Sequence, residues 1–377
     1  MTNKLRLTTA IVGSLAGLGL SAAVAQTTVS GNVAMGFIAT STDATTKDGS
    51  WSSMTKETQV NVGTKGKLNN GMNYAAGFSI EMDGPDASGT DMFAEGNYIE
   101  INSGDTTLSI GADRINNPDR HVTNAVGIGY IGQDGLGAGG KTSTASTNAG
   151  RSLYPTHGSI YGFFGAGLVQ KVGNGNISFY YVPQMGSTGI LNDIGNGANA
   201  TDAAQTSITS SGDAIEVGYN GDLGVKGLTV QAFHTTGDKR AEFNPLDKKV
   251  KSTNLGASYN FGQITISAAH LKTEGVQGGY SVNLANNATN GGLSEELTGK
   301  SAGIAFAATK DLSFGLTYGK ADTNHASATQ TEKTIIASVG YSLGPVGVKA
   351  QVADVENYAG QRNNDGKAAR VLMFTSF

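Results

Sequence analysis

From Val29 onward the chain alternates. Val29, Gly31, Val33, Met35, Phe37 and Ala39 stand against Ser30, Asn32, Ala34, Gly36, Ile38 and Thr40. A period of two with one greasy face predicts a half-buried strand. The pattern then repeats with a turn in the middle. Val60, Val62 and Leu68 lead into Asn69-Asn70-Gly71, after which Met72, Tyr74, Ala76, Phe78, Ile80 and Met82 share one face. Asn-Gly between two alternating runs signals a hairpin. Further hairpins are predicted near Gly104-Asp105, Asn174-Gly175, Asp222-Leu223-Gly224, Gly262-Gln263, Lys310-Asp311 and Gly344-Pro345. With a lone first strand and a last strand carrying Val371, Met373, Thr375 and Phe377, the pattern gives sixteen strands. The sixth, around Ser159 to Gly173, is ambiguous, because adjacent Phe163 and Phe164 leave neither face polar.

Tight turns alternate with long polar loops along the chain. Short connections on one side and long ones on the other are what an antiparallel barrel in a membrane produces. The apolar faces end in aromatic residues at Tyr98, Tyr181, Tyr219, Phe261, Tyr318 and Phe377, which predicts girdles at the two membrane interfaces. The opposite faces are rich in Gly, Ser, Thr, Asn and Gln, which suits a wet lumen. In lipid every backbone group needs a partner, so such a sheet must close on itself. The expected fold is therefore all-β, a transmembrane antiparallel β-barrel.

Composition agrees. There are 55 glycines, 6 prolines and no cysteine, so no disulfide framework is available. A mean hydropathy of −0.18 and the lack of a second long apolar run argue against spanning helices. The formal net charge of −4 is spread out, and no basic stripe for nucleic acid is present. At the start, Lys4 and Arg6 precede an apolar stretch from Leu7 to Leu20 and the small-residue site Ala23-Val24-Ala25. That order predicts a signal peptide over residues 1–25, cleaved between Ala25 and Gln26, with one barrel domain over 26–377.

Other motifs carry little chemistry. Gly135 to Thr142 spells G-x-x-x-x-G-K-T, but Ser143 to Gly150 after it is poor helix, so the stretch reads as loop, not as a phosphate cradle. Asp83, Asp86 and Asp91 offer oxygen ligands for Ca²⁺ without the EF-hand spacing, and read as a solvated acidic loop. No His-x-x-x-His pair suggests zinc, and no G-x-S-x-G elbow suggests a hydrolase. No catalytic residue, metal or cofactor is expected.

The whole chain from Gln26 resembles the Gram-negative general porins of the sixteen-stranded trimeric type. The resemblance rests on Gln26-Thr27-Thr28-Val29-Ser30-Gly31-Asn32, the hairpin from Thr58 to Met82, the strand ending Gly111-Ala112-Asp113-Arg114, and the terminal Phe377. Thr375 departs from the aromatic or aliphatic residue usual at its position. The resemblance implies a passive channel for small hydrophilic solutes and ions across the outer membrane, with short periplasmic turns and long extracellular loops. It implies a homotrimer, contacts with outer-membrane lipid and lipopolysaccharide, and a role for Phe377 as a signal to the outer-membrane assembly machinery. The third loop, from Arg114 to Gly158, is expected to fold into the barrel and narrow the pore.

Charges then become candidates for the constriction. On the loop these are Asp119, Arg120, Asp134, Lys141 and Arg151, with Asp113 and Arg114 where it begins. Strand parity adds Lys65, Glu81, Glu100, Glu216, Lys349 and Arg370 on the lumen side. Opposed charges across a narrow pore set ion preference, and the acidic balance favours a weak cation preference. Gly165-Ala166-Gly167 is a candidate surface for close packing between protomers. Three alternatives stay open at this point: a substrate-specific channel, for which Tyr154 and Tyr161 beside Arg151 leave room, a closed structural or adhesive barrel, and a barrel enzyme.

Overall fold

The alternation translates directly into strands. The computed structural model describes residues 26–42, 49–84, 92–111, 165–182, 214–237, 250–274, 294–325, 329–357 and 365–377. They form sixteen strands: β1 (Gln26–Thr42), β2 (Gly49–Lys67), β3 (Asn73–Gly84), β4 (Met92–Ser103), β5 (Thr106–Gly111), β6 (Gly165–Val172), β7 (Gly175–Val182) and β8 (Ala214–Gly221) in the first half. The second half holds β9 (Leu228–Gly237), β10 (Val250–Asn260), β11 (Ile264–Glu274), β12 (Ser294–Ala307), β13 (Leu312–His325), β14 (Thr329–Leu343), β15 (Val346–Glu356) and β16 (Gly366–Ser376). The expected seven hairpins all appear at the expected turns. The ambiguous sixth strand is described over Gly165–Val172, and its two phenylalanines lie outside the described residues.

Each strand pairs antiparallel with its sequence neighbours, and β1 also pairs with β16, so the sheet is a closed barrel. Closure leaves no edge with unpaired backbone groups, which is the condition for a sheet in hydrocarbon. The seam ends in a reciprocal pair: the Gly31 N–H donates to the Phe377 carbonyl and the Phe377 N–H to the Gly31 carbonyl, each at 3.0 Å. Turn chemistry sets the hairpins. In the first, Gly71 takes φ +85° while the Asn70 side chain accepts from the Met72 N–H at 3.2 Å. In the fourth, the Asp222 carboxylate accepts from the Gly224 N–H at 2.8 Å and tolerates Leu223 at φ +52°.

The barrel is apolar outside. Val29, Met35, Phe37, Ile99, Leu108, Phe179, Val217, Leu255, Ile304, Leu316, Val352 and Met373 are all exposed on the outward face. Left in water, each such side chain would forfeit ~1.5–3 kcal/mol of burial. A net stability of ~5–15 kcal/mol cannot absorb that many losses, so the surface belongs in lipid. β1 and β2 run 17 and 19 residues, and β12 to β14 run 14, 14 and 15. A tilted strand needs only ~9–11 residues to cross the hydrocarbon. The wall therefore overshoots the membrane at β1–β2 and at β12–β14.

Three expectations need correction. Tyr98 does not sit in the outer girdle. A bulge at Gly96 (φ +60°) shifts the β3–β4 register between Gly77 and Ser79, and Tyr98 pairs with Gly77 and Gly111 on the inward face. Gly165 and Gly167 also face inward, opposite Gly111 and Ser109, so only Ala166 of that trio reaches the outer surface. Finally, the inward face is not uniformly small and polar. Ile38, Tyr180, Phe233, Leu271 and Leu372 point in and are buried, so parts of the inner wall are packed instead of wet.

Candidate functional site

The inward residues form rows, because directly opposed residues in an antiparallel ladder share a face. One row runs across nine strands: Lys65, Ala75, Glu100, Ser109, Gly167, Tyr180, Glu216, Thr235 and Ser252. Polar neighbours on the row hold its carboxylates. The Thr235 hydroxyl donates to Glu216 Oε2 at 2.8 Å, and the Ser109 hydroxyl donates to Glu100 Oε1 at 3.3 Å. Glu216 has no solvent exposure at all. A carboxylate so placed is costly unless it accepts hydrogen bonds, which is why a threonine on the next strand matters.

The other wall is basic. Arg370 on β16 lies opposite Gln351 on β15 and Ile38 on β1, and its Nε donates to Gln351 Oε1. It is buried, with 2 % exposure. Lys349 is two residues along β15, opposite Leu372 and Gly340. Below it the Phe374 ring lies over Gly347, where a side chain on residue 347 would collide with it.

These groups stand on opposite walls. β8 and β16 are eight strands apart in a ring of sixteen, so Glu216 and Arg370 are separated by half the circumference. Sixteen strands spaced ~4.8 Å apart and tilted give a barrel about 30 Å across. At that separation two unit charges in water attract by only ~0.1 kcal/mol. They are not an ion pair. They are two buried charges set into opposing walls of the ring. Glu216 is the third residue of β8 and Arg370 the fifth of β16, both nearer the loop side than the turn side.

The sequence candidates divide between the barrel wall and the loops. Lys65, Glu100, Glu216, Lys349 and Arg370 all occupy inward register positions. Glu81 is on the inward face of β3, opposite Gln59 and Phe93. Asp83 pairs in register with Glu57. Asp113, Arg114, Asp119, Arg120, Asp134, Lys141, Arg151, Asp86, Asp91 and Ala25 lie outside the described residues, as do the third loop and the phosphate-cradle look-alike. Gln26 opens β1. Reading charges alone missed the groups that hold them: Thr235, Ser109 and Gln351. Strand parity could have found them, since each sits directly across from a charge it supports.

A profile of the Gram-negative porin family matches residues 8–357, nearly the whole chain. The chain belongs to the Gram-negative porin family. This porin is therefore a multi-pass protein of the outer membrane and a diffusion channel. Solved structures give the same architecture. An anion-selective porin from Comamonas acidovorans superposes with a TM-score of 0.62 at 12% identity, over 94% of this chain and 100% of that one. OmpF of Salmonella typhi, in complex with daunomycin, gives 0.62 at 11% identity, over 93% and 97%. OmpT of Vibrio cholerae, in a trimer form, gives 0.59 at 10% identity, over 94% and 99%. At these identities the likeness concerns the fold. A comparison with curated proteins finds no significant match.

Proposed function

We propose that this porin is a general, weakly ion-selective channel whose preference is set by the acidic β4–β8 wall working against the basic β15–β16 wall. The observation that carries the reading is the placement of Glu216 and Arg370 on opposite sides of the ring. A hydrated lumen spares small polar solutes the cost of losing their water. The transverse field then sorts them by charge, and the imbalance between the poles sets the sign. No energy source is needed and no residue of the chain is assigned to catalysis. The loop between β5 and β6 is the proposed constriction, and Phe377 the proposed assembly signal.

We further propose a homotrimer. The Vibrio cholerae relative is described in a trimer form. On this chain the outward face from β14 across the seam to β2 supports the idea. Ala39, Ser41, Ser52, Ala337 and Ala369 are small there and leave a shallow groove in which a second barrel could pack closely.

The test is a planar bilayer with a salt gradient. Ohmic steps with a modest reversal potential are expected. Glu216→Gln should move the permeability ratio toward anions and Arg370→Gln toward cations, each by roughly a factor of two. Identical reversal potentials in wild type and both variants would remove the two-pole filter. Saturable block by a single sugar, phosphate or amino acid would replace the general channel with a specific one.

A further inference from the structure

Tyr98 takes no part in the two-pole filter, yet the backbone is arranged around it. Tyr180 and Phe233 also point inward but are buried, whereas Tyr98 keeps part of its surface exposed. The bulge at Gly96, with φ +60°, re-aims β4 so that Tyr98 faces the lumen. Glycines stand directly opposite it on both neighbouring strands, Gly77 on β3 and Gly111 on β5, and Gly63 on β2 is next in the row. A Cβ on residue 77 would meet the ring's Cε1 and its hydroxyl oxygen at 3.0 Å, and one on residue 63 would stand 3.6 Å from the same hydroxyl. The ring therefore lies flat on the wall, running from β4 over β3 toward β2. Glycines in a strand weaken it, and here three of them clear a bed for one ring. One face of that ring rests on bare backbone and the other is turned to the lumen.

The row beside the ring carries opposite charges. Lys65, Ala75, Glu100 and Ser109 are directly opposed in turn. Lys65 and Glu100 are thus two strands apart, about 10 Å between backbones, with only the Ala75 methyl between them. Lys65 is exposed and has no hydrogen-bond or ion-pair partner among the described residues. Lys67, two residues on and facing the same way, adds a second positive charge at that end. At the other end the Ser109 hydroxyl donates to Glu100 Oε1 at 3.3 Å and orients the carboxylate. Tyr98 is two residues from Glu100, and its hydroxyl lies by Gly63, two residues from Lys65. The ring thus runs alongside the gap from one charge to the other.

A solute matched to this floor carries a cation and an anion with a nonpolar body between them. A lone cation is repelled by Lys65 and Lys67, and a lone anion by Glu100. An extended dipeptide spans about 7 Å between its termini, which leaves room for a contact at each end of the gap. Its ammonium is drawn to Glu100 and to the negative face of the Tyr98 ring. We infer that Tyr98, Lys65 and Glu100 form a weak binding site for short zwitterionic solutes, free dipeptides above all, with the ammonium at Glu100, the carboxylate at Lys65 and the chain lying on the Tyr98 ring. The site rests on the channel reading only for the supply of solute to the lumen.

The test is saturation-transfer NMR on the full-length protein folded in detergent, titrated with glycyl-leucine and with the same peptide acetylated at one end and amidated at the other. Contact is read whether or not the barrel conducts, so failure here is distinct from failure of the channel reading, which current in salt alone decides. The free dipeptide is expected to half-saturate at about fivefold lower concentration than the capped one. Lys65→Gln and Glu100→Gln should each raise its half-saturation about threefold, and Tyr98→Ala about fivefold, while Tyr98→Phe keeps the ring and changes it by less than about twofold. Lys65→Glu combined with Glu100→Lys should recover most of the affinity, because a dipeptide can lie the other way round. Equal half-saturation of the free and capped peptides overturns the site, and that comparison needs only the wild type. Undiminished affinity in Tyr98→Ala, or in both single charge variants, overturns it too. A response to sucrose as strong as to the dipeptide would make the ring a sugar platform instead, and equal binding of acetate or methylammonium would reduce the site to a single-ion contact.

Discussion

Gly31 and Phe377 close the barrel by exchanging two backbone hydrogen bonds of 3.0 Å, while the Phe377 ring lies over the bare α-carbon of Gly31. A Cβ on residue 31 would come within 2.6 Å of the ring's Cζ and 2.3 Å of the Gln59 carbonyl oxygen. Gly31→Val is expected to lower the urea midpoint of the folded barrel in lipid vesicles by an amount equivalent to ~1–3 kcal/mol. An unchanged midpoint would show that the ring is not seated there.

The same pairing of ring and glycine recurs inside. Gly218 on β8 lies opposite Phe233 on β9, and a methyl on residue 218 would meet the ring at 2.1 Å. Gly218→Ala should therefore destabilise the wild type but cost far less in a Phe233→Ala background. A double-mutant cycle on unfolding midpoints should give a coupling of ~1 kcal/mol or more. Simple additivity would mean the ring moves aside freely.

Gln351 is the support of Arg370. Gln351→Leu would take the acceptor from a buried guanidinium nitrogen, at a cost of ~1–3 kcal/mol in unfolding experiments. If Arg370 acts as the basic pole, the reversal potential of that variant should also shift, because the side chain loses its fixed position. Lost stability with an unaltered potential would leave Arg370 a structural residue only.

The groove across the seam bears on assembly. Ala369→Trp would fill the space beside Ala39 and Val352 on the outer surface. Native gels should then show monomer, while the heat-induced mobility shift of the folded barrel persists. A trimer that survives the substitution would move the protomer contact elsewhere.

Much of this architecture was legible because lipid and water demand opposite things of alternate residues. Strand count, turn positions and most outward faces followed from that rule alone. Register errors came where the rule is suspended. The bulge at Gly96 inserts a residue, and Tyr98 changes sides without any change in its neighbours' hydropathy. Gly165 and Gly167 read as packing surface only while the sixth strand's parity was open. Ile38 and Phe233 are buried on the inward face, and a sequence pattern cannot say that the inner wall is partly covered. For the charges, parity supplied the side of the wall. Which walls oppose each other depended on closure, a property of the ring and not of any segment.

The hairpins that join β2 to β3, β4 to β5, β6 to β7, β8 to β9, β10 to β11, β12 to β13 and β14 to β15 all lie on one rim and are short. None of them has enough chain to reach the axis. Those hairpins therefore supply nothing to bar a solute at the mouth they encircle.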